Sequence, residues 1–387
     1  MKGQQLSAEQ RIATALEARR KQESFRSLSP ADPSFTDFCS NDYLGLARSP
    51  VLFSLAETEW ARLKKENTQQ LLGSGGSRLL AGDSQYAEQL EKELAVFYRA
   101  EAGLIFNSGY AANTGIFSAL PQRGDTILYD ELIHASVREG IRLSHAKAWS
   151  FRHNDCAHLE ELLQKSGGTV YVAAEAVYSM DGDECPLEAL VACCEKYKAA
   201  LILDEAHSNG LYGRRGEGLA VANELQDKIF ARVMTFGKAA GCHGAFVAGS
   251  AELRDFLINF SRPFIYSTAL PVHDLAVIRC AVNYFSSLEK ERERVFALVR
   301  YFRQKAAAAG ITGLTASEGA IQAILFSGNE NVRRLAAKCR GNKMDVRAIL
   351  SPTVPEGKER LRIILHSFNT EAQIDDLVKY VGEGLKI

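Results

Sequence analysis

Between residues 50 and 250, short β-rich apolar runs alternate with helical patterns, and this alternation restricts the fold more than any other feature of the chain. Thr126–Tyr129, Val170–Ala174, Ala200–Leu203, Arg232–Thr235 and Ala245–Ala248 read as strands, and Gln85–Tyr98 reads as a helix. Short strands separated by helices imply a parallel sheet with crossover helices. His134, Ser179, Asp204 and Lys238 fall at or beyond the ends of these segments. Open α/β sheets bind ligands there. Beyond residue 284 the texture changes. A charged helix (about 287–309) precedes a strand at Ile321–Phe326, a helix at Asn331–Cys339, strands at Met344–Leu350 and Leu361–His366, and a last helix from Glu371. The expected fold is α/β, a mostly parallel central sheet with flanking helices plus a smaller C-terminal α+β unit. Its expected division is an N-terminal helical arm over 1–45, a large domain over 46–283 and a small one over 284–387.

The composition excludes several classes. A formal net charge of −1 over 387 residues, 24% charged and 46% hydrophobic, gives no global attraction to nucleic acid or anionic membranes. No run of eighteen or more apolar residues is present, so no membrane span is expected. The segment Met1-Lys-Gly-Gln-Gln5 has no apolar signal core, and the eight cysteines show no CxxC pair, so reduced thiols and a cytoplasmic setting are expected. Residues 7–26 read as an amphipathic docking helix, with Ser7 as N-cap, Gln10 completing a capping box, and Ile12 and Leu16 on one face.

Lys238 lies in Val233-Met-Thr-Phe-Gly-Lys-Ala-Ala-Gly241, 34 positions after Asp204 in Asp204-Glu-Ala-His207. A lysine at a strand end among small residues loses solvation and becomes a nucleophilic amine. A carboxylate ending an earlier strand can face it across a flat cofactor, the pairing pyridoxal phosphate (PLP) requires of its protein. Alone, Asp204 reads as a helix-capping acid or a metal ligand; with Lys238 downstream the cofactor role is favoured. His207 would share the side of Asp204 and donate to the cofactor's phenolic oxygen. His134 reads as a ring to stack on the pyridine, or equally as a cap or core residue. Asn107-Ser-Gly-Tyr-Ala-Ala-Asn-Thr-Gly115 opens a helix whose amides make a phosphate cradle, to which Thr235 and Tyr266-Ser-Thr268 could add hydroxyls. Cys242-His243 lacks further ligands at zinc spacing, so no metal is expected.

Eight segments, in order along nearly the whole chain, resemble the motifs of the α-oxoamine synthases, which are fold-type I PLP enzymes. They are Ser40-Asn-Asp-Tyr-Leu-Gly-Leu46, Gly73-Ser-Gly-Gly-Ser-Arg78, Asn107-Ser-Gly-Tyr-Ala-Ala-Asn113, Ser179-Met-Asp-Gly-Asp183, Asp204-Glu-Ala-His207, Thr235-Phe-Gly-Lys238, Ile265-Tyr-Ser-Thr268 and Pro352-Thr-Val-Pro355. The segment Phe151-Arg-His-Asn-Asp155 matches as well. The resemblance implies PLP held on Lys238, with Asp204 at the ring nitrogen, His207 at the phenolic oxygen and His134 stacked on the ring. Gly109, Tyr110, Ser179 and Thr235 would place the cofactor, and Thr268 would reach the phosphate of a partner subunit, so a homodimer with shared sites is implied. Arg26, Asn41 and Thr353 would meet the acyl substrate. The implied reaction is a decarboxylating Claisen condensation of an amino acid with an acyl-CoA or acyl carrier-protein thioester. L-Alanine with a pimeloyl thioester is expected first; glycine with acetyl-CoA or serine with a long acyl-CoA is the alternative. A non-catalytic binding module is the rival from another class. One departure stands out. Where the family has an arginine for the amino-acid carboxylate, this chain has Leu350, leaving Arg347 or Arg362 to compensate.

Overall fold

The computed structural model describes residues 6–66 and 72–385; the Met1–Gln5 segment read above lies outside them. Its strands are β1 (Thr36–Asp37), β2 (Ala102–Phe106), β3 (Thr126–Asp130), β4 (Lys147–Phe151), β5 (Val170–Glu175), β6 (Ala200–Asp204), β7 (Ala231–Thr235), β8 (Ala245–Gly249), β9 (Ile321–Leu325), β10 (Met344–Asp345), β11 (Arg347–Ile349) and β12 (Arg360–Ile364). The central sheet runs β2-β8-β7-β6-β5-β3-β4. All its strands point the same way except β8, which is antiparallel to β2 and to β7. The expectation of parallel strands therefore fails at β8, because the tight turn after β7 returns the chain directly beside it with no crossover helix.

Side chains alternate across each strand. Leu128, Val172, Leu201 and Leu203 enter one apolar cluster, while Ile127, Ala173, Ile202 and Val233 enter another on the opposite face. Helices cover both faces, which is why the central runs are apolar throughout. Two strands of this sheet are absent from the sequence reading. β4 is an edge strand with mostly exposed side chains. In β2, Gly103 looks like a breaker, but a Cβ there would stand 2.1 Å from the Phe246 ring, so glycine is the residue that lets that ring pack.

The smaller sheet is antiparallel, in order β11-β12-β9. The expected single strand 344–350 is broken: Met344–Asp345 pairs in parallel with Thr36–Asp37, and Arg347–Ile349 turns to pair with β12. Residues 36–43 of the N-terminal stretch are thus tied to the C-terminal sheet, with Ile364 N donating to Phe38 O at 2.9 Å and Ser367 N to Tyr43 O at 2.9 Å. The N-terminal helix has the expected Ser7–Gln10 capping box but spans only Ala8–Lys21. It stops short of residue 26 because Glu23 takes a left-handed backbone, φ 50°. Ile12 and Leu16 are exposed in the single chain.

Candidate active site

Strand parity assembles the site. Ala173, Ile202 and Val233 share one cluster on one face of the sheet. Two residues further along their strands stand Glu175, Asp204 and Thr235, which therefore leave the same face at the carboxyl ends of β5, β6 and β7. Glu175 and Asp204 are direct partners across β5 and β6. The helix Gly109–Ala119 covers that face. Its Asn113 Nδ2 donates to Asp204 Oδ2 at 2.7 Å and to Ser136 Oγ at 3.0 Å, while Ala206 N donates to Asp204 Oδ1 at 2.9 Å. Asp204 is thus a buried carboxylate held by neutral donors, with one side open to a cleft of about 240 Å³.

Lys238 sits in the turn that joins β7 to β8, closed by Gly241 N donating to Lys238 O at 2.9 Å and Cys242 N to Phe236 O at 2.9 Å. Its Nζ is 2.8 Å from His207 Nε2, and His207 Nδ1 is 2.6 Å from the Tyr43 hydroxyl. Burial lowers the Lys238 amine to about 8, although Asp204 and Glu175 favour its charged form. Burial and the nearby Lys238 and Arg362 cations hold His207 well below the usual imidazole range, so it is neutral. A neutral imidazole carries one proton. With a lysine ammonium donating to Nε2, that proton is on Nδ1 and the Tyr43 oxygen accepts it. Tyr43 O–H then points to Asn41 Oδ1 at 3.4 Å, which also accepts from Arg362 Nη2 at 3.0 Å. The hydrogen bonds therefore run in one direction from Lys238 through His207 and Tyr43 to Asn41 Oδ1, which Arg362 meets from the other side.

Glu175, 2% exposed, is pushed well above the carboxylate range by burial and by Asp204 beside it; the backbone N–H groups of Ser179 and His134 pull the other way. His134 is both cap and cleft wall: its Nδ1 accepts from Ser136 N at 3.2 Å at the start of the helix Ala135–Leu143, and its ring lines the cleft. Burial depresses its pKa, against the pull of Asp204. Gly109 is required by space, since a Cβ there would fall 2.4 Å from Thr235 Cγ2. The N-cap Ser108 accepts from Ala111 N at 3.1 Å, leaving the Gly109 and Tyr110 amides at the open end of the helix.

The cleft wall gathers Asn41, Gly109, Tyr110, His134, Asp204, Thr235 and Lys238 of the expected residues, and His207 stands behind Lys238. Ser179 contributes through its backbone, its carbonyl accepting from Arg362 Nε at 2.8 Å. Thr268 is exposed, outside its own chain's cleft, and its carbonyl accepts from Asn107 Nδ2 at 2.8 Å. Arg26 and Thr353 bond each other at 3.0 Å in a second cleft of about 720 Å³, with Met180 and Asp181 on its wall. Of the two arginines left by the Leu350 departure, Arg347 is spent on Cys39 Sγ at 3.2 Å and on Asp345 at 3.6 Å. Arg362 is the one that reaches Asn41. Asn113, Ser136, Glu175 and Tyr43 were not singled out from the sequence, although the parity of β5 already puts Glu175 on the face of Ala173. Among the described residues no metal-binding group of His, Cys, Asp or Glu exists, and no helix is long and apolar enough to cross a membrane.

A family model described as aminotransferase class I and II matches residues 33–381. The chain therefore belongs to that family, a PLP-dependent fold, and to its α-oxoamine synthase branch. It is 39% identical to an 8-amino-7-oxononanoate synthase of Emericella nidulans, over 93% of this chain and 92% of the relative. It is 42% identical to one of Chromobacterium violaceum, over 89% of this chain and 88% of the relative. Among solved structures, 8-amino-7-oxononanoate synthase from Francisella tularensis superposes with a TM-score of 0.79 at 28% identity, covering 92% of this chain and 99% of that one. Serine palmitoyltransferase from S. paucimobilis gives a TM-score of 0.89 at 24% identity, covering 98% and 99%, a likeness of fold alone.

Proposed function

We propose that this chain is a PLP-dependent acyltransferase that joins L-alanine to a pimeloyl thioester, of coenzyme A or of a carrier protein, with loss of carbon dioxide and thiol. The product is 8-amino-7-oxononanoate, for biotin biosynthesis. One observation carries the cofactor. Thr235 Oγ1, Asn113 Oδ1 and Glu175 Oε1, all in the walls of the one cleft beside Lys238, are buried without a hydrogen-bond partner. Native proteins seldom leave such atoms unpaired unless a ligand meets them. Bound there, PLP would supply an electron sink for charge developing at the amino acid's Cα.

The chain's own residues divide the remaining work. Lys238 is the attachment point and then the base that takes the Cα proton; an amine at about 8 is neutral at pH 7.5 in roughly a quarter of molecules, some hundreds of times more than an ordinary lysine. Asp204 keeps a negative charge at the ring nitrogen, held in place by Asn113 and Ala206 N. His207 aligns the Lys238 amine, and His134 forms a flat wall. The helix start at Gly109 and Tyr110, with Thr235, takes the phosphate, and Thr268 completes the partner's site in a cytoplasmic homodimer. Arg362, beside Asn41, takes the amino-acid carboxylate that Leu350 cannot, and the Arg26–Thr353 cleft receives the acyl chain. Identity of 39–42% to relatives named 8-amino-7-oxononanoate synthase weighs more for substrate than backbone overlap with serine palmitoyltransferase, because substrate choice lies in side chains. Borohydride treatment of the PLP-loaded protein should fix the cofactor to the peptide that contains Lys238. Attachment elsewhere, or none, would overturn the assignment.

A further inference from the structure

Residues 151–155 form a motif that the reaction above does not use, and His153 at its centre has an unusual environment. It lies two residues beyond β4, between two carboxylates. Nδ1 is 3.0 and 3.1 Å from the two oxygens of Asp130, and Nε2 is 2.7 Å from Asp183 Oδ2. Asp130 is fully buried and also accepts from Leu132 N at 2.8 Å and Asn154 N at 2.9 Å, as a carboxylate does. The ring stands edge-on to Tyr178 at 4.4 Å between centroids. A neutral imidazole would aim a lone pair at one of the two acids, so the geometry calls for a proton on each nitrogen. The carboxylates facing the ring act in the same direction, Asp130 from the end of β3 and Asp183 from the turn, and Glu131 Oε1 accepts from the His153 backbone N–H at 3.1 Å. The pairing holds the ring at about 10, against its burial.

The two acids belong to segments that matter to the cleft. Asp130 is four residues before His134, and Asp183 is four after Ser179. The Ser179 segment is a closed turn, with Gly182 N donating to Tyr178 O at 2.8 Å and Tyr178 N to Asp183 O at 2.9 Å. Inside the cleft, the backbone N–H groups of both His134 and Ser179 favour the charged form of Glu175. From outside, His153 ties the same two segments together, and Ser179 O in turn receives Arg362 Nε.

We infer that His153 is a standing imidazolium clamp, a positioning residue that sets the spacing between the His134 wall and the Ser179–Arg362 side of the cleft. The kinetic part of this inference rests on the function proposed above; the protonation part does not. Nitrogen-15 NMR of the cofactor-free protein with labelled histidine should show both His153 ring nitrogens protonated from pH 6 to beyond pH 9. A neutral ring in that range, titrating near the ordinary 6.5, would overturn the clamp. In the loaded enzyme, His153→Gln should leave cofactor affinity within about threefold, yet lower kcat/KM for both substrates about 10- to 100-fold, as misplacement by an ångström does. Adding Asp183→Asn restores a neutral donor–acceptor match with the glutamine, so the double variant should recover most of that loss. A single variant as active as the unaltered enzyme, or a double variant no better than the single, would overturn the inference. Absence of any condensation in the unaltered enzyme, with His153 protonated as expected, would instead count against the proposed function.

Discussion

Removing the Tyr43 hydroxyl should change the acidity of Lys238, although the two do not touch. Tyr43 is fully buried, and its oxygen is the acceptor for the His207 Nδ1 proton at 2.6 Å. In Tyr43→Phe that N–H has no acceptor, and a buried donor left unpaired costs about 1–3 kcal/mol. The imidazole escapes this cost by moving its proton to Nε2, which then faces Lys238 Nζ at 2.8 Å. That arrangement accommodates a neutral amine, which accepts, but opposes an ammonium, which has no lone pair. The penalty therefore falls on charged Lys238 alone. At 1.36 kcal/mol per unit, it corresponds to a fall of roughly 1–2 units, from about 8 to between ~6 and ~7. The pH dependence of Lys238 acylation in cofactor-free protein, read peptide by peptide by mass spectrometry, measures this directly. An unchanged or raised apparent pKa in Tyr43→Phe would refute the directed chain from Lys238 through His207 to Tyr43.

Gly109→Ala places a Cβ 2.4 Å from Thr235 Cγ2; PLP affinity, measured by equilibrium dialysis, should fall by about 10-fold or more, with a stability loss of about 1–3 kcal/mol in thermal unfolding. Arg362→Lys should raise KM for the amino acid about 10-fold or more and leave KM for the thioester nearly unchanged, because a single ammonium cannot reproduce the guanidinium fork. His153 has a raised folded pKa, so its stabilisation is complete below the ordinary 6.5 and is lost as pH climbs toward about 10. The stability difference between the unaltered protein and His153→Gln, by urea unfolding, should therefore shrink across that window. The span of about 3.5 pH units bounds the effect at about 5 kcal/mol, and partial exposure of the ring reduces it toward ~2; a difference independent of pH would contradict the linkage. Asp204→Asn should lower the Lys238 pKa further, since the carboxylate favours the ammonium, and should cut kcat by orders of magnitude with Lys238 still able to carry the cofactor.

Sequence reading located Lys238, Asp204, His207, His134 and the Asn107–Asn113 turn because each follows a recognisable apolar run, and ligands collect at strand ends. It passed over Glu175 for a specific reason. The strand reading Val170–Ala174 stops one residue short of it, and only pairing with β6 puts it beside Asp204. Tyr43 is quoted only as part of a motif and Asn41 only as an implied substrate contact; their reach to His207 and Arg362 depends on β1 pairing with β10, a contact across about three hundred residues that no local pattern encodes. β8 shows the same limit, since its apolar run is identical in kind to its parallel neighbours and only the short return from Lys238 sets its direction. The Leu350 departure looked like a missing anchor from the sequence. With Arg347 bonded to Cys39, Arg362 beside Asn41 is the arginine proposed for that role.

The cleft is proposed to condense alanine with a pimeloyl thioester through Lys238. Coenzyme A release from pimeloyl-CoA, followed with alanine, glycine and serine in parallel, tests it most directly. Alanine should support release, with carbon dioxide formed in equal amount, and Lys238→Ala should abolish it. Faster release with glycine or serine, or release that survives loss of Lys238, would contradict it.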